Sequence, residues 1–529
     1  MSILSVSFLL FAVGLLAVYF AVPGRFRWWV LLVFSLAFYA LGGLLNLPWM
    51  LLTALSVWGA ARYIQTNADA EKAYLAAHKG ELSKEARSTY KAKGKAARRR
   101  ALTLCILLNV GVLCAFKYVH FLLAQADAVA RLFGGGVRDT IQWIVPLGVS
   151  FYTFQTVGYL CDVYWGKAKA ERNPMKVLLF TSFFPQITQG PISAWNDLSD
   201  QLFTPHELRY ENFSLGAQRM IWGFFKKMVV ANILAAYVQQ VFAHYNEYAG
   251  VAVFLGALCY AAQIYADFSG YMDIMCGLCQ ILGIRLTENF DRPYFSKSIA
   301  EYWRRWHISL GVWFKNYVYY PLAMARWNQK LSKSAKKRLG KAFGNYLPAT
   351  LALVIVWLTT GLWHGASWSY VAWGGVNGLF IIFSMWMEGP YGKWKKALHI
   401  REDAWLWRAF QVGRTFLLVT FIKVLPEVGS LRDGLGLWKR ILTEHSVPRS
   451  LGGLLPFVES YRELAVALLG IGLMFAVSLL QRRGSVREQL GRKLPYLLRI
   501  VIFVFLFFLI LYFGVPASGG LGDFMYAEF

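Results

Sequence analysis

The sequence predicts an all-α polytopic membrane protein, and three observations carry that prediction. First, its 529 residues are 57% hydrophobic without counting glycine and only 16% charged, with a mean hydropathy of +0.41. A soluble chain is about 45–50% apolar with glycine included and about 25% charged. Second, the apolar residues fall in runs of about 20, the length that crosses a bilayer as a helix. Third, the charges sit between those runs and are mostly basic. The composition excludes disorder and a collagen-like or disulfide-rich secreted chain. The six cysteines (105, 114, 161, 259, 276 and 279) all lie in apolar stretches, which argues against a disulfide framework. The 17% aromatic content, with 21 Trp, suits side chains that sit at membrane interfaces.

In chain order, clean candidate spans are 3–22, 28–45, 47–63, 101–123, 405–425, 463–480 and 498–514. The runs 141–165, 176–190, 217–243 and 250–285 carry Pro, Gly and single polar residues. They read as spans or half-spans inside a bundle, where neighbours satisfy broken backbone. The first run lacks a basic leader and is followed at once by further spans, so it is not expected to be a cleaved signal. Residues 342–387 hold no Asp, Glu, Lys or Arg over 46 positions. They accommodate two spans joined by a turn near 363–368.

The net charge of +26 admits a nucleic-acid partner or the positive-inside bias of a membrane protein. Location favours the second. Segment 64–100 holds ten Lys/Arg against four acids, 325–345 holds seven against none, and 481–499 holds six against one. Each flanks long apolar runs. With these segments cytoplasmic, span 47–63 runs inward, Arg25 and Arg27 fall inside, and both the N-terminus and the tail 515–529 are extracytoplasmic. Segment 64–100 is expected to be a cytoplasmic loop with some helix. The expected organisation is one membrane-embedded domain over 1–529: N-terminal spans in 1–123, a core in 140–390, and C-terminal spans and tail in 391–529.

Ionisable residues inside a membrane are costly and point to function. His364, in Gly361-Leu362-Trp363-His364-Gly365-Ala366, falls at the turn between two spans. It reads as a base or as a packing histidine bonded to a backbone carbonyl. His307 lies in Glu301-Tyr302-Trp303-Arg304-Arg305-Trp306-His307-Ile308-Ser309-Leu310, a block too rich in charge for a simple span. That block reads as a re-entrant or interfacial helix, with a functional or a structural histidine. Asp162, Asp267 and Asp273 suit ion pairs with nearby arginines or the wall of a polar tunnel. Cys276 and Cys279 have CxxC spacing but no partner ligands, and no metal site is expected. No P-loop, GxSxG or GxGxxG stands in a supporting context, so ATP-driven transport by this chain alone is disfavoured.

Several blocks then become specific. Asp267-Phe268-Ser269-Gly270-Tyr271-Met272-Asp273 resembles the "FSGYxD" signature of membrane-bound O-acyltransferases, the MBOAT family. Asn289-Phe290-Asp291-Arg292-Pro293-Tyr294 resembles its "NFxRPY". Trp303 to Leu310 and Gly361 to Ala366 are similar to its "WRRWHISL" and "GLWHGA" blocks. Upstream, Pro146 to Gln155, Phe184-Pro185-Gln186 with Gly190-Pro191-Ile192, and Gly223-Phe224-Phe225-Lys226-Lys227 also fit. The resemblance is strongest over 140–390 and toward the bacterial branch that acetylates polysaccharides such as alginate. One departure is Gly311, where Ser or Thr is expected.

The resemblance implies a ring of about 11–13 spanning or re-entrant helices around a thin core with a tunnel. It implies an O-acyltransferase of the cytoplasmic (inner) membrane. Such a protein would pass an acyl group, acetyl foremost, from a cytoplasmic thioester (acetyl-CoA or an acyl carrier protein) toward an extracytoplasmic polysaccharide or peptidoglycan. A partner transferase is expected on the far side; a tightly bound cofactor and a nucleic-acid partner are not. His364 and His307 correspond to the family's two histidines. Arg304, Arg305, Trp306, Asp267, Ser269, Asp273, Asn289 and Trp363 are the candidates for the donor site or tunnel. The basic residues of 326–341 serve either topology alone or attraction of donor phosphates or an acidic carrier. Tyr526, in the aromatic tail, is either an interfacial anchor or a transient acyl carrier. D-alanyl transfer to teichoic acid is the alternative within the family, and a polytopic lipid or polysaccharide transporter the alternative outside it.

Overall fold

A computed structural model describes residues 2–137, 145–458 and 460–516. Among them the regular structure is helical; no strand is present, and one isolated bridge joins Phe290 to Trp306. Eight helices of the described residues are long and apolar enough to cross a membrane. A ninth is counted if Trp368–Trp386 and Glu388–Ala397, bent by 61°, form one span. The all-α polytopic class expected from the sequence is what the helices show. Not every apolar run makes a full span. Val6–Ala21 is 16 residues long, short of the ~20 a bilayer asks for. Trp405–Lys423 carries Arg408, Arg414 and Lys423 and so is not among the eight.

The chain forms two compact units. The first comprises Val6–Phe213 and Cys279–Thr287. Segment 64–100, expected to be a loop with some helix, is helical over most of its length. Two helices, Leu47–Ala77 and Lys84–Leu132, run through it and meet at a short turn, 78–83. The reason is composition, since the segment is rich in Ala, Lys, Glu and Arg, all strong helix formers. At 31 and 49 residues the helices are about 46 and 74 Å long, well beyond a hydrocarbon core of about 30 Å. Ser83 caps the second helix by accepting from the Ala86 N–H at 3.1 Å, and Arg98 braces the pair through Glu71 at 2.8 Å and Asn67 at 2.9 Å. The helix Val149–Tyr164 is buried along its length. It starts at Gly148, whose φ is +66° and where a Cβ would lie 1.9 Å from the Ile187 carbonyl oxygen, so only glycine fits. Gln186 donates to the Pro191 carbonyl at 2.8 Å and to Ser193 at 2.5 Å, which makes the upstream Phe-Pro-Gln block a structural clasp.

The second unit comprises Ser2–Ser5, Ser214–Leu278 and Glu288–Phe529. The helix ending at Ala243 contains a wide π turn, Phe225–Ala231, on which Lys226 and Lys227 are both buried. It packs on the helix Gly250–Ile281 with backbones nearly touching: a Cβ on Gly223 would lie 2.7 Å from the Gly270 carbonyl, and one on Gly277 2.7 Å from that of Gly216. Small residues permit this approach where apolar side chains gain nothing by leaving lipid. The charge-free run 342–387 forms the hairpin read from its sequence, Lys341–His364 and Trp368–Trp386, with the turn inside the expected 363–368. Gly361 and Gly374 bring its arms together, since a Cβ on either would fall within 2.5 Å of the Tyr370 or Trp357 carbonyl.

Gly361→Val should therefore force the hairpin apart. The expected cost is about 1–3 kcal/mol of overpacking, read as a lower thermal midpoint in detergent and a reduced membrane level. Gly413→Ala, where a Cβ meets nothing within 4 Å, should leave both unchanged.

Candidate functional site

The site grows from a break between two short helices, Ile299–Arg305 and Ile308–Phe314. The block expected to be one re-entrant or interfacial helix is thus two, divided at Trp306 and His307. Residues 289–291 run beside the break and pin it. The Asp291 N–H donates to the Arg305 carbonyl at 3.0 Å, and the Ile308 N–H to the Asn289 carbonyl at 3.1 Å. The Ser309 N–H donates to Asn289 Oδ1 at 3.0 Å. These bonds hold His307 at φ +49°, ψ 52°, a left-handed conformation that costs a non-glycine residue about 1–2 kcal/mol. Its ring is buried, edge-on to Phe268 (centroids 4.9 Å) and 6.0 Å from the ring of Trp363.

His364 ends the helix Lys341–His364 and is 3% exposed. Its ring lies 4.9 Å from those of Trp363 and Trp373 and is stacked toward Tyr370 at 6.5 Å. The two histidines therefore bracket one indole, that of Trp363. Gly365 makes the close turn possible, as a Cβ there would lie 2.1 Å from the Tyr370 ring. Trp303 keys the break onto the hairpin by donating to Asn377 at 3.0 Å. His364, Trp306, Lys423 and Glu427 line a cavity of about 30 Å³; His307 is not among its lining residues.

The candidate acids gather elsewhere in the unit. Asp267 is paired with Lys227, each side chain 2% exposed. Asp273 pairs with Lys226 at 2.6 Å and with Arg219 at 2.8 Å, and Arg219 also forks onto Glu288 at 2.7 and 2.6 Å. Ser269 accepts from Lys226 at 2.9 Å and donates to the Tyr265 carbonyl at 2.6 Å. Asp273, Ser269, Lys226 and Arg219 line a second cavity, of about 80 Å³. Tyr265 and Phe290, which also line it, pack against Trp306 of the first cavity, tilted and edge-on, at centroid distances of 6.1 and 5.0 Å. An aromatic partition thus lies between the two cavities. Arg305 is tied to Glu301 at 2.7 Å, while Arg304 is exposed. At Gly311 a Cβ would meet only the Trp303 carbonyl at 3.5 Å, so the Ser or Thr expected there would fit. Tyr526 lies outside the described residues.

One residue escaped the sequence reading. Lys423 closes the helix Trp405–Lys423, whose span looked generic, yet it is 5% exposed. Its ammonium sits 3.4 Å above the Trp306 ring, with Tyr294 and Tyr302 at 5.3 and 5.4 Å. It donates to the Tyr294 hydroxyl at 3.2 Å. Nearby, Glu427 accepts from the Tyr260 hydroxyl at 2.8 Å. The available signal was a lone lysine at the end of the apolar stretch 415–422.

Residues 167–424 match the family model described as MBOAT, membrane-bound O-acyltransferase family; both histidines and Lys423 fall within them. The chain is 38% identical over 283 residues to the probable alginate O-acetylase AlgI of Azotobacter vinelandii, covering 54% of this chain and 53% of that protein. It is 30% identical over 310 residues to the peptidoglycan O-acetyltransferase of Helicobacter pylori, covering 54% and 55%. It is 28% identical over 306 residues to the teichoic acid D-alanyltransferase of Streptococcus thermophilus, covering 54% and 71%. The chain spans about half the length of the O-acetylases it matches.

Removing one member of a buried ion pair strands the other, at a cost of about 3–5 kcal/mol, whereas replacing both by apolar groups is close to neutral. Asp267→Asn should accordingly lower the thermal midpoint and the membrane level sharply. The double variant Asp267→Leu/Lys227→Met should recover most of both.

Proposed function

We propose, for a chain that belongs through residues 167–424 to the membrane-bound O-acyltransferase family, that it is an O-acyltransferase moving acetyl groups toward a glycan outside the cytoplasmic membrane. The donor in this reading is a cytoplasmic thioester, acetyl-CoA or an acyl carrier protein, drawn by basic segments such as 326–341. The acceptor is an extracytoplasmic polysaccharide or peptidoglycan, reached with a partner transferase. Both chain ends face outward. Acetyl is favoured by identities of 30–38% to proteins named O-acetylases; the D-alanyl alternative rests on 28% identity over 71% of a D-alanyltransferase.

The observation that carries the proposal is His364 in its aromatic-walled cavity, inside the matched region. Acyl transfer needs a base at the attacking hydroxyl. A neutral imidazole in a site with little water serves, since proton removal there is worth about 10²–10⁴ in rate. His364 takes the hydroxyl proton as oxygen attacks the thioester carbonyl, then returns it to the departing thiolate. His307 supports it at one remove, by fixing the Trp363 ring against which His364 packs. The pinned turn at 289–291 holds His307 for that purpose.

The test is the ester content of envelope glycans in a deletion strain complemented at matched membrane levels. His364→Ala should reduce one ester type by at least about 10²-fold while polymer export continues. His307→Ala should reduce the same ester, and the ester's identity separates acetyl from D-alanyl. Unchanged esters with a stably inserted His364→Ala protein would return the chain to a transporter. Tyr526→Phe tests the tail: as a transient acyl carrier, Tyr526 is required, so the variant should lose esterification. Full activity in Tyr526→Phe would leave the tail an interfacial anchor.

A further inference from the structure

The cavity beside His364 holds a cation that the general-base account leaves unused. Lys423 reaches it from the helix Trp405–Lys423, and Glu427, whose carboxylate accepts from the Tyr260 hydroxyl at 2.8 Å, lines the same cavity. Its Nζ lies over the faces of Trp306, Tyr294 and Tyr302 and donates to the Tyr294 hydroxyl. Tyr294 is itself fixed, because its hydroxyl donates to the Ala261 carbonyl at 2.5 Å. Ring faces compensate a desolvated cation without cancelling its field, as a bound carboxylate would. The result is a pre-oriented Nζ hydrogen-bond donor on the wall of the cavity that holds His364. The cavity, at about 30 Å³, has room for a water-sized group.

We propose that Lys423 binds the oxyanion that forms during acyl transfer. The inference rests on the acyl-transfer reading and adds a second group to it. The acceptor oxygen attacks the thioester carbonyl carbon while His364 removes its proton. The C=O π pair moves onto the carbonyl oxygen, and the Lys423 ammonium holds that negative charge by a hydrogen bond and by its field. The pair then re-forms the carbonyl, the C–S bond breaks, and the thiolate leaves with the proton from His364. Lys423 keeps its own proton throughout. Such a group acts on charge that exists only in the transition state and the intermediate, where low dielectric makes it most effective. Trp306, Tyr294 and Tyr302 position the ammonium, which gives three residues of two sequence blocks a shared purpose.

Full-length wild type, His364→Ala, Lys423→Met and Lys423→Arg are compared for the rate of ester appearance in cells and for thermal midpoint in detergent. Met matches the lysine stem and removes a buried charge, so its midpoint should equal or exceed that of wild type. The expected loss of rate for Lys423→Met is about 10²–10³-fold, the effect of deleting one oxyanion donor. Lys423→Arg should retain an intermediate rate. If His364→Ala loses esterification while Lys423→Met stays within about threefold of wild type, the oxyanion assignment is overturned and the acyl-transfer reading stands. A midpoint markedly lowered by Lys423→Met would also overturn it, because the lysine would then be a structural cation. If His364→Ala loses nothing, acyl transfer itself fails, and the role of Lys423 with it.

Discussion

The backbone pairing of residues 289–291 with 305–309 is the constraint on which the site depends. Buried backbone outside a helix persists only where neighbouring groups satisfy its N–H and C=O. The break between the helices Ile299–Arg305 and Ile308–Phe314 is satisfied by Asn289, through its carbonyl and its side chain, and by the Asp291 N–H. Asn289 also acts as a cap for the second helix, taking one of the N–H groups every helix start leaves open. Because the turn is held, His307 occupies a left-handed conformation and meets Trp363. Trp306, the residue before it, faces Phe290 and carries Lys423 on its ring.

Around that turn, the charged side chains fall into two groups. The acids Asp267 and Asp273 are matched by Lys227, Lys226 and Arg219, so one part of the unit holds paired charges. The His364 cavity is walled mainly by rings, with Lys423 on the face of Trp306 and Glu427 bonded to the Tyr260 hydroxyl. The difference matters for chemistry. A paired charge has its field largely cancelled, whereas an ammonium on an aromatic surface keeps it. Glycines set the distances: Gly223 with Gly270, and Gly361 with Gly374, let helices approach to backbone contact, so side chains at the ends of those helices meet within a few ångströms.

The helical class and the 342–387 hairpin were legible because absence of charge over 46 residues is a direct physical statement about solvent. The blocks around His307, His364, Asp267 and Asn289 were legible as patterns, but the sequence did not say which of them meet. The structure brings His307, Trp363 and His364 together, and collects Asp273 and Ser269 around another cavity. Segment 64–100 holds more helix than the expected loop with some helix, because its residues are good helix formers and its two helices extend beyond any membrane-spanning length. Lys423 was passed over because its run was judged by average hydropathy. One charge at the end of an apolar helix changes that average little, while its contacts with Tyr294, Tyr302 and Trp306 cross more than a hundred residues of chain.

The central claim is that His364 promotes transfer of an acyl group from a thioester on one side of the membrane to a hydroxyl acceptor on the other. Proteoliposomes containing the full chain and its extracytoplasmic partner, with glycan acceptor enclosed and acetyl-labelled acetyl-CoA or acetylated carrier protein outside, test it most directly. The account predicts label in alkali-labile ester on the enclosed acceptor, dependent on His364. Equal labelling with His364→Ala protein would contradict it.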